Sequence, residues 1–352
     1  MLNCVVQGLE VSDDGIIRAI QTNQGTLAWA NDNTKVILCA GAFPNATLLM
    51  DSFPDLQTTV GKRITGHFLT HIAARVPISA FGPWSDKIKN SDQPCKLEIA
   101  AHYLAGEHPD TKCQYHVQIT AIHSPDPNQD AEDAARECPD YAAAATAAQL
   151  AGSEEYVVFV CATLGEFTEN NPDSWIHSNP KNPGPTSNIT LQYTLAPDDH
   201  KLWDLMDQAT YQTIDVMAGT PDQVEYWDET NHTWQMDRPE VADIRIPGVV
   251  HEASTAYVGP ADKRGSLDEL YRPHGCRNIV SKLTHSLQRP NPLLAFFFFY
   301  LEDLFTDIGV VDIKFVTGGA IFPTAGSWNP TLTMCGFSQD LARRLVSGGE
   351  AD

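Results

Sequence analysis

Three segments in the middle of the chain alternate larger apolar residues with polar or small ones: LEIAAHYLA at 97–105, YHVQITAI at 115–122 and ITLQYTL at 189–195. A period of two matches the pleat of a β-strand. One apolar face per strand calls for an antiparallel sheet, packed on one side and open to water or substrate on the other. A fourth segment, YVVFVCATL at 156–164, is apolar throughout and reads as a strand buried on both faces. Two helices interrupt these strands. One is the Ala-rich stretch from Asp130 to Ala151. The other runs from Asp198 to Met217, with Asp198 as its cap after Pro197 and with Leu202, Leu205, Met206 and Ala209 at helical spacing. SWIHSNPKNPGPTSN at 174–188 is rich in Pro, Asn and Gly and is expected to be an irregular surface segment.

The flanks have a different texture. LNCVVQGLEV and GIIRAIQT are apolar runs joined by Ser12-Asp13-Asp14-Gly15, a hairpin signal. KVILCAGAF, from Lys35, follows as a short buried strand that ends in small residues. At the carboxyl end of a strand in a doubly wound sheet, small residues let a ligand approach the backbone closely. The chain closes on TLTMCGFSQDLARRLV, an amphipathic helix whose two late arginines suit the negative end of its dipole.

Composition removes several classes of function. A net charge of −22 argues against nucleic acid or an anionic membrane surface as partner. Eight cysteines in 352 residues, with no C-x-x-C pair, support neither a disulfide scaffold nor a zinc ribbon. Cys39 and Cys335 sit in apolar runs and are expected in the core. The amino terminus shows no basic region followed by an apolar one, so no secretory signal is read and the localisation stays open. PLLAFFFFYL at 292–301, the most apolar run, is about half the ~20 residues needed to span a bilayer. Sequons occur at Asn45, Asn188 and Asn231, a number near chance.

Two strings carry chemistry. In VHEASTAYVG at 250–259, His251 opens a turn rich in small and hydroxylated residues. A neutral imidazole accepts a proton near neutral pH, which is what oxidation of an alcohol requires as hydride leaves the carbon. A zinc-protease reading fails, because H-E-x-x-H needs a second histidine where Thr255 stands. His102, His116 and His123 fall on neighbouring expected strands, and no metal site is expected there. In GGAIFPTAGSWNPTLT at 318–333, Asn329 before Pro330 is a standard helix start. The same amide, at the tip of the last helix, is suited to hydrogen-bond a substrate oxygen.

These strings resemble the catalytic end of the glucose–methanol–choline (GMC) oxidoreductases, flavoenzymes that take a hydride from an alcohol or sugar. His-Glu-Ala-Ser-Thr resembles the HEAGT-type motif, with Ser254 where many members have glycine. CAGAFPNATLLMDS at 39–52 resembles SAGAxxTPxLLxxS, and VGKRITGH at 60–67 resembles VGxNLxDH, with Gly66 in place of the usual aspartate. The four matches come in the family's order and correspond to the middle and carboxyl end of the family's pattern.

The resemblance implies an α/β (α+β) fold: an incomplete Rossmann-like FAD-binding layer plus an antiparallel-sheet substrate domain. Residues 1–66 would form part of the FAD-binding layer, 67–245 the sheet domain, and 246–352 the segment that returns to the flavin. It implies FAD as cofactor, held by Ala40, Gly41, Ala42, Gly318 and Gly319, with Pro330 and Thr331 at the helix start that faces a flavin carbonyl. His251 would be the catalytic base and Asn329 the partner of the substrate oxygen, with an alcohol or sugar as substrate.

Two departures qualify this. No G-x-G occurs in the sequence, so the family's pyrophosphate-binding turn is absent and FAD binding is expected to be impaired. In addition, residues 280–314 interrupt the family's HGxxNLYVxGGA string with 35 foreign residues. Val280-Ser281 can be encoded by a splice-donor sequence and the Phe run by a thymine-rich tract, so a retained intron is expected, the alternative being a real lid or docking insertion. The expectation is therefore a truncated or mis-spliced flavoenzyme. The competing reading is a non-catalytic fragment or pseudoenzyme whose sheet binds a carbohydrate or another chain.

Overall fold

The computed structural model describes residues 3–13, 15–29, 34–89, 97–137, 143–179, 181, 188–274, 314–326 and 328–346. The expected intron-derived segment lies outside these residues apart from Lys314, and so does the apolar run 292–301.

The chain opens as an antiparallel meander of β1 (Val6–Val11), β2 (Ile17–Thr22) and β3 (Gly25–Ala28). The first hairpin turns where expected, with the Ser12 N–H bonded to the Ile16 carbonyl at 2.8 Å. Then come β4 (Val36–Leu38), α1 (Ala42–Ser52) and a long strand, β5 (Thr65–Pro77). After α2 (Ser85–Lys89), β6 (Glu98–Glu107) and β7 (Gln114–His123) form a hairpin, as their alternation requires.

The Ala-rich stretch is two helices rather than one, α3 (Pro127–Glu137) and α4 (Ala147–Leu150). The sequence carries a proline at 139 between them, and Thr146 starts the second helix anew. Its Oγ1 accepts from the Gln149 N–H at 3.2 Å, while the Thr146 N–H donates to Gln149 Oε1 at 2.8 Å. β8 (Tyr156–Glu166) follows, then β9 (Trp175–Ser178) paired with β10 (Ile189–Gln192). The start of the expected irregular segment is thus a strand, because Ile176 is fully buried and anchors it.

α5 (Pro197–Ala218) leads into β11 (Glu225–Asp228), β12 (Thr233–Gln235), α6 (Val241–Ile244), β13 (Arg245–Ala253), β14 (Lys314–Val316) and α7 (Thr331–Val346). The start of α5 is capped by Asp199 and not by Asp198. One Asp199 oxygen accepts the Ala196 N–H at 2.7 Å, and the other accepts both the Thr168 N–H and its hydroxyl at 2.8 Å.

The main sheet runs β12-β11-β5-β8-β7-β6, with β13 also paired to β5, and all of its pairings are antiparallel. α5 covers one face. Leu202, Trp203, Met206, Thr210 and Ile214 recur every three or four residues and are buried there, Trp203 and Met206 beside Phe68 and Ile214 beside Ile72. Polar contacts fix the helix in place: Trp203 Nε1 donates to Thr70 Oγ1 at 3.0 Å, and Thr70 donates to Asp207 at 2.6 Å. Because side chains alternate along a strand, His67 on β5, His116 on β7, and Leu164 and Glu166 on β8 point to the other face. A second core lies among β1, β2, β4, α1, β14 and α7, centred on Leu49, Val60, Ala256, Leu267 and Ala320.

Cys39 and Cys335 are exposed, contrary to expectation, the first beyond the end of β4 and the second on the outer side of α7. Asn45 is fully buried, so its sequon is sealed inside the fold.

Candidate active site

β4 and β14 run parallel, so their carboxyl ends lie side by side. Asn45, in the first turn of α1, ties these ends together. Its Nδ2 donates to the carbonyls of Leu38 at 3.3 Å and Thr317 at 3.2 Å, and its Oδ1 accepts the Ala40 N–H at 3.0 Å. Each strand then enters a glycine with positive φ, Gly41 at 98° and Gly318 at 85°. A side chain at Gly41 would meet only Pro44, at 3.9 Å, and one at Gly318 would meet nothing within 4 Å.

A third segment joins these two turns. The Ser254, Ala256 and Val258 N–H groups donate to the carbonyls of Gly319, Ala320 and Ile321, at 3.1, 2.9 and 3.0 Å. Thr255 Oγ1 donates to the Ala42 carbonyl at 2.6 Å. Residues 40–42, 254–255 and 318–319, remote in sequence, therefore meet at one place.

His251 stands on β13, whose pairing with β5 slips twice. The register passes from Ile246 opposite Leu69 to Val250 opposite His67, then to Ala253 opposite Thr65. The second slip is a β-bulge that holds His251 at φ 60° and is followed by Ser254 at φ 66°. Left-handed backbone at non-glycine residues costs of order 1–3 kcal/mol each and persists where surrounding structure imposes it. Here the bulge directs the His251 ring toward β5. Its Nδ1 lies 3.0 Å from Nδ1 of His67, the ring planes crossing at 83°.

His67 is fully buried, and its Nε2 lies 2.9 Å from the Gly326 carbonyl. Burial, reinforced by His251, pushes its pKa down to about 3, against the pull of the Gly326 carbonyl. The departure at Gly66 has a steric cause. A β-carbon there would lie 2.6 Å from Val249 Cγ1 and 3.0 Å from the Val250 carbonyl, so the first slip of β13 leaves no room for aspartate.

The residues after Ile321 form a strap over this face of the sheet. Arg63 stacks on Tyr257 at 4.0 Å and donates to the Pro323 carbonyl at 2.6 Å. Thr324 donates to Glu166 at 2.7 Å, Gly326 meets His67, and the Trp328 ring stacks on His116 at 5.1 Å, with 4° between planes. Asn329 is half-buried on the same strap, three residues beyond the carbonyl that His67 binds. It is not itself the helix cap. The first helical bond runs from the Met334 N–H to the Pro330 carbonyl at 2.9 Å, so Pro330 holds that position and α7 begins at Thr331. α7 is held through its middle, by Thr317 with Ser338 at 3.2 Å and by Tyr271 with Asp340 at 2.6 Å.

Three participants had no assigned role at the level of sequence: His67, Asn45 and Gly326. The first two lie inside the VGKRITGH and CAGAFPNATLLMDS matches, which was the available signal. Among the described residues no group of three or more His, Cys, Asp or Glu is arranged to hold a metal ion. None of their helices is long and apolar enough to cross a membrane.

No protein-family model matches the sequence, and no curated protein matches it. Among solved structures, the fold is similar to that of an FAD-dependent oxidoreductase from Chaetomium thermophilum, solved with a bound pyridinyl-ethyl butanamide fragment. The TM-score is 0.54 at 10% identity, over 99% of this chain and 61% of that one. The chain therefore spans less than two thirds of the length of that protein, and likeness at this identity concerns the fold alone.

Proposed function

We propose that the chain carries the catalytic end of an FAD-dependent oxidoreductase of the GMC type, acting on the CH–OH group of an alcohol or sugar. The observation that carries this reading is the strained His251, aimed at His67 beside the carboxyl ends of two parallel strands. In open α/β sheets, ligands bind at such strand ends. The fold likeness and the four ordered sequence matches support it.

The residues present suit the ring end of a flavin. The turns at Gly41 and Gly318 leave backbone open to a flat ring, with Ala40, Ala42 and Gly319 beside them. The Ala42 and Phe43 N–H groups, at the start of α1, have no partner within the helix by position and are available to ring carbonyls. Pro330 and Thr331 begin α7, whose amino end would face the ring from the substrate side. When bound, FAD would supply the acceptor for the hydride that leaves the carbinol carbon. The sequence carries no G-x-G turn for the pyrophosphate, so FAD is held weakly by this chain.

His251 accepts the hydroxyl proton as the hydride leaves, and the Asn329 amide donates a hydrogen bond to the substrate oxygen as negative charge builds there. The main sheet forms the wall facing the ring, with Trp328 of the strap stacked on His116 of β7. Among the described residues, those before β5 and after β13 form the flavin side.

The test is anaerobic flavin bleaching by a panel of alcohols and sugars, with FAD in excess, in the wild type and in His251→Ala. The expected result is a fall in the rate of flavin reduction of about 10²–10⁴-fold with flavin binding unchanged. An undiminished rate in the variant would sink the assignment.

A further inference from the structure

We propose that His67 is a positioning residue that sets the tautomer of His251, placing the proton-accepting lone pair on Nε2 of that ring. The inference rests on the reading of His251 as the base and adds to it a device for preparing that base. A carbonyl oxygen only accepts, so the 2.9 Å contact between His67 Nε2 and the Gly326 carbonyl requires hydrogen on Nε2. A neutral imidazole carries one N–H, which leaves Nδ1 of His67 as an acceptor. The 3.0 Å contact between the two Nδ1 atoms then requires hydrogen on His251 Nδ1. The lone pair of His251 falls on Nε2, across the ring from His67.

This order depends on His67 staying neutral. Doubly protonated, it would donate at Nδ1, and His251 would have to accept there and carry its hydrogen on Nε2. A base would then be a donor. Complete burial of His67, with the His251 and His116 rings beside it, disfavours the charged form. The arrangement also suits the state after proton transfer. A protonated His251 still donates from Nδ1 to a neutral acceptor rather than facing a second N–H.

The chain thus fixes the tautomer from a backbone carbonyl on the strap. Gly326 is held at φ 62°, and its neighbour Thr324 is bound to Glu166, so the carbonyl that starts the sequence of hydrogen bonds is itself anchored to the sheet. Free histidine in water prefers hydrogen on Nε2, so the tautomer required at His251 is the less common one and needs this partner.

The test reads the tautomers directly, by long-range ¹H–¹⁵N correlation of the full chain labelled at histidine, with His251→Gln and His67→Gln spectra used for assignment. The expected result at neutral pH is His67 protonated on Nε2 only and His251 on Nδ1 only. In His67→Leu, His251 reverts to Nε2–H. In His67→Gln, whose amide both donates and accepts, it keeps Nδ1–H. A wild-type His251 protonated on Nε2 overturns the proposal whether or not either variant folds, and so does an unchanged tautomer in His67→Leu. No substrate or flavin enters this measurement. If the tautomers are as stated while His251→Ala still turns over, the oxidation reading fails and the positioning role stands.

Discussion

Replacing Asn45 by alanine tests whether its side chain holds the carboxyl ends of β4 and β14 together. The side chain makes three hydrogen bonds, to the Ala40 N–H and to the carbonyls of Leu38 and Thr317. Net contributions of about 1 kcal/mol each, smaller for the two bonds longer than 3.1 Å, sum to roughly 2 kcal/mol. The buried space left behind brings the expected loss to about 2–3 kcal/mol. The Leu38 carbonyl keeps its bond from the Thr317 N–H at 3.0 Å, which holds the cost below that of three orphaned groups. For a chain of this size the thermal midpoint should fall by roughly 3–4 °C.

The aspartate variant sharpens the test. It keeps the acceptor for Ala40 but turns a buried carboxylate oxygen toward two carbonyls, so at neutral pH Asn45→Asp should be less stable than Asn45→Ala. Its folded-state pKa is raised, so this penalty should shrink as pH falls and the protonated oxygen donates again. Thermal and urea unfolding at pH 7 and pH 5 give all three quantities. An alanine variant within about 0.5 kcal/mol of wild type would show that Asn45 does not clamp the two strands, and so would an aspartate variant that is the more stable of the two at pH 7.

Two further outcomes follow from the same geometry. Gly66→Ala should cost about 1–3 kcal/mol by overpacking against Val249 and the Val250 carbonyl. A neutral urea midpoint would show that β13 does not approach so closely. His67, pushed from 6.5 down to about 3, binds its proton in the unfolded chain first. Its contribution is therefore complete above pH 6.5 and is lost as pH falls toward 3, at about 1.4 kcal/mol per unit. With His251 and His116 facing it, the stability difference between wild type and His67→Gln should narrow by about 2 kcal/mol from pH 6.5 to 5. A difference that does not change with pH would show that His67 is not held neutral.

β6 and β7 were legible as strands from their alternation, but not in their exposure: β6, the outermost strand of the sheet, is exposed on both faces and β7 is buried on both. β5 was not, since it is buried on both faces and His67, Thr70, His71 and Arg75 interrupt any apolar run. Thr70 and Arg75 are satisfied by distant partners, Thr70 by Asp207 and Trp203 on α5 and Arg75 by Glu225. No local pattern announces such partners. Cys39 and Cys335 misled because an apolar neighbourhood in sequence says nothing about which side of an element faces out. His251 was legible as part of a string, but its partner lies 184 residues earlier, and only a bulged strand pairing brings the two rings together. Asn45 looked like a glycosylation signal, and its function as a clamp appears once two strands at opposite ends of the chain are set side by side.

In the proposed function, the turns at Gly41 and Gly318 receive the ring end of a flavin. This is tested most directly by titrating the chain with riboflavin and with FAD and following flavin fluorescence. Saturable quenching by both, with similar affinity and unchanged in His251→Ala, is the predicted result, because the cradle meets the ring and the sequence holds no G-x-G turn for the pyrophosphate. No saturable change with either flavin, or FAD binding far more tightly than riboflavin, would contradict it.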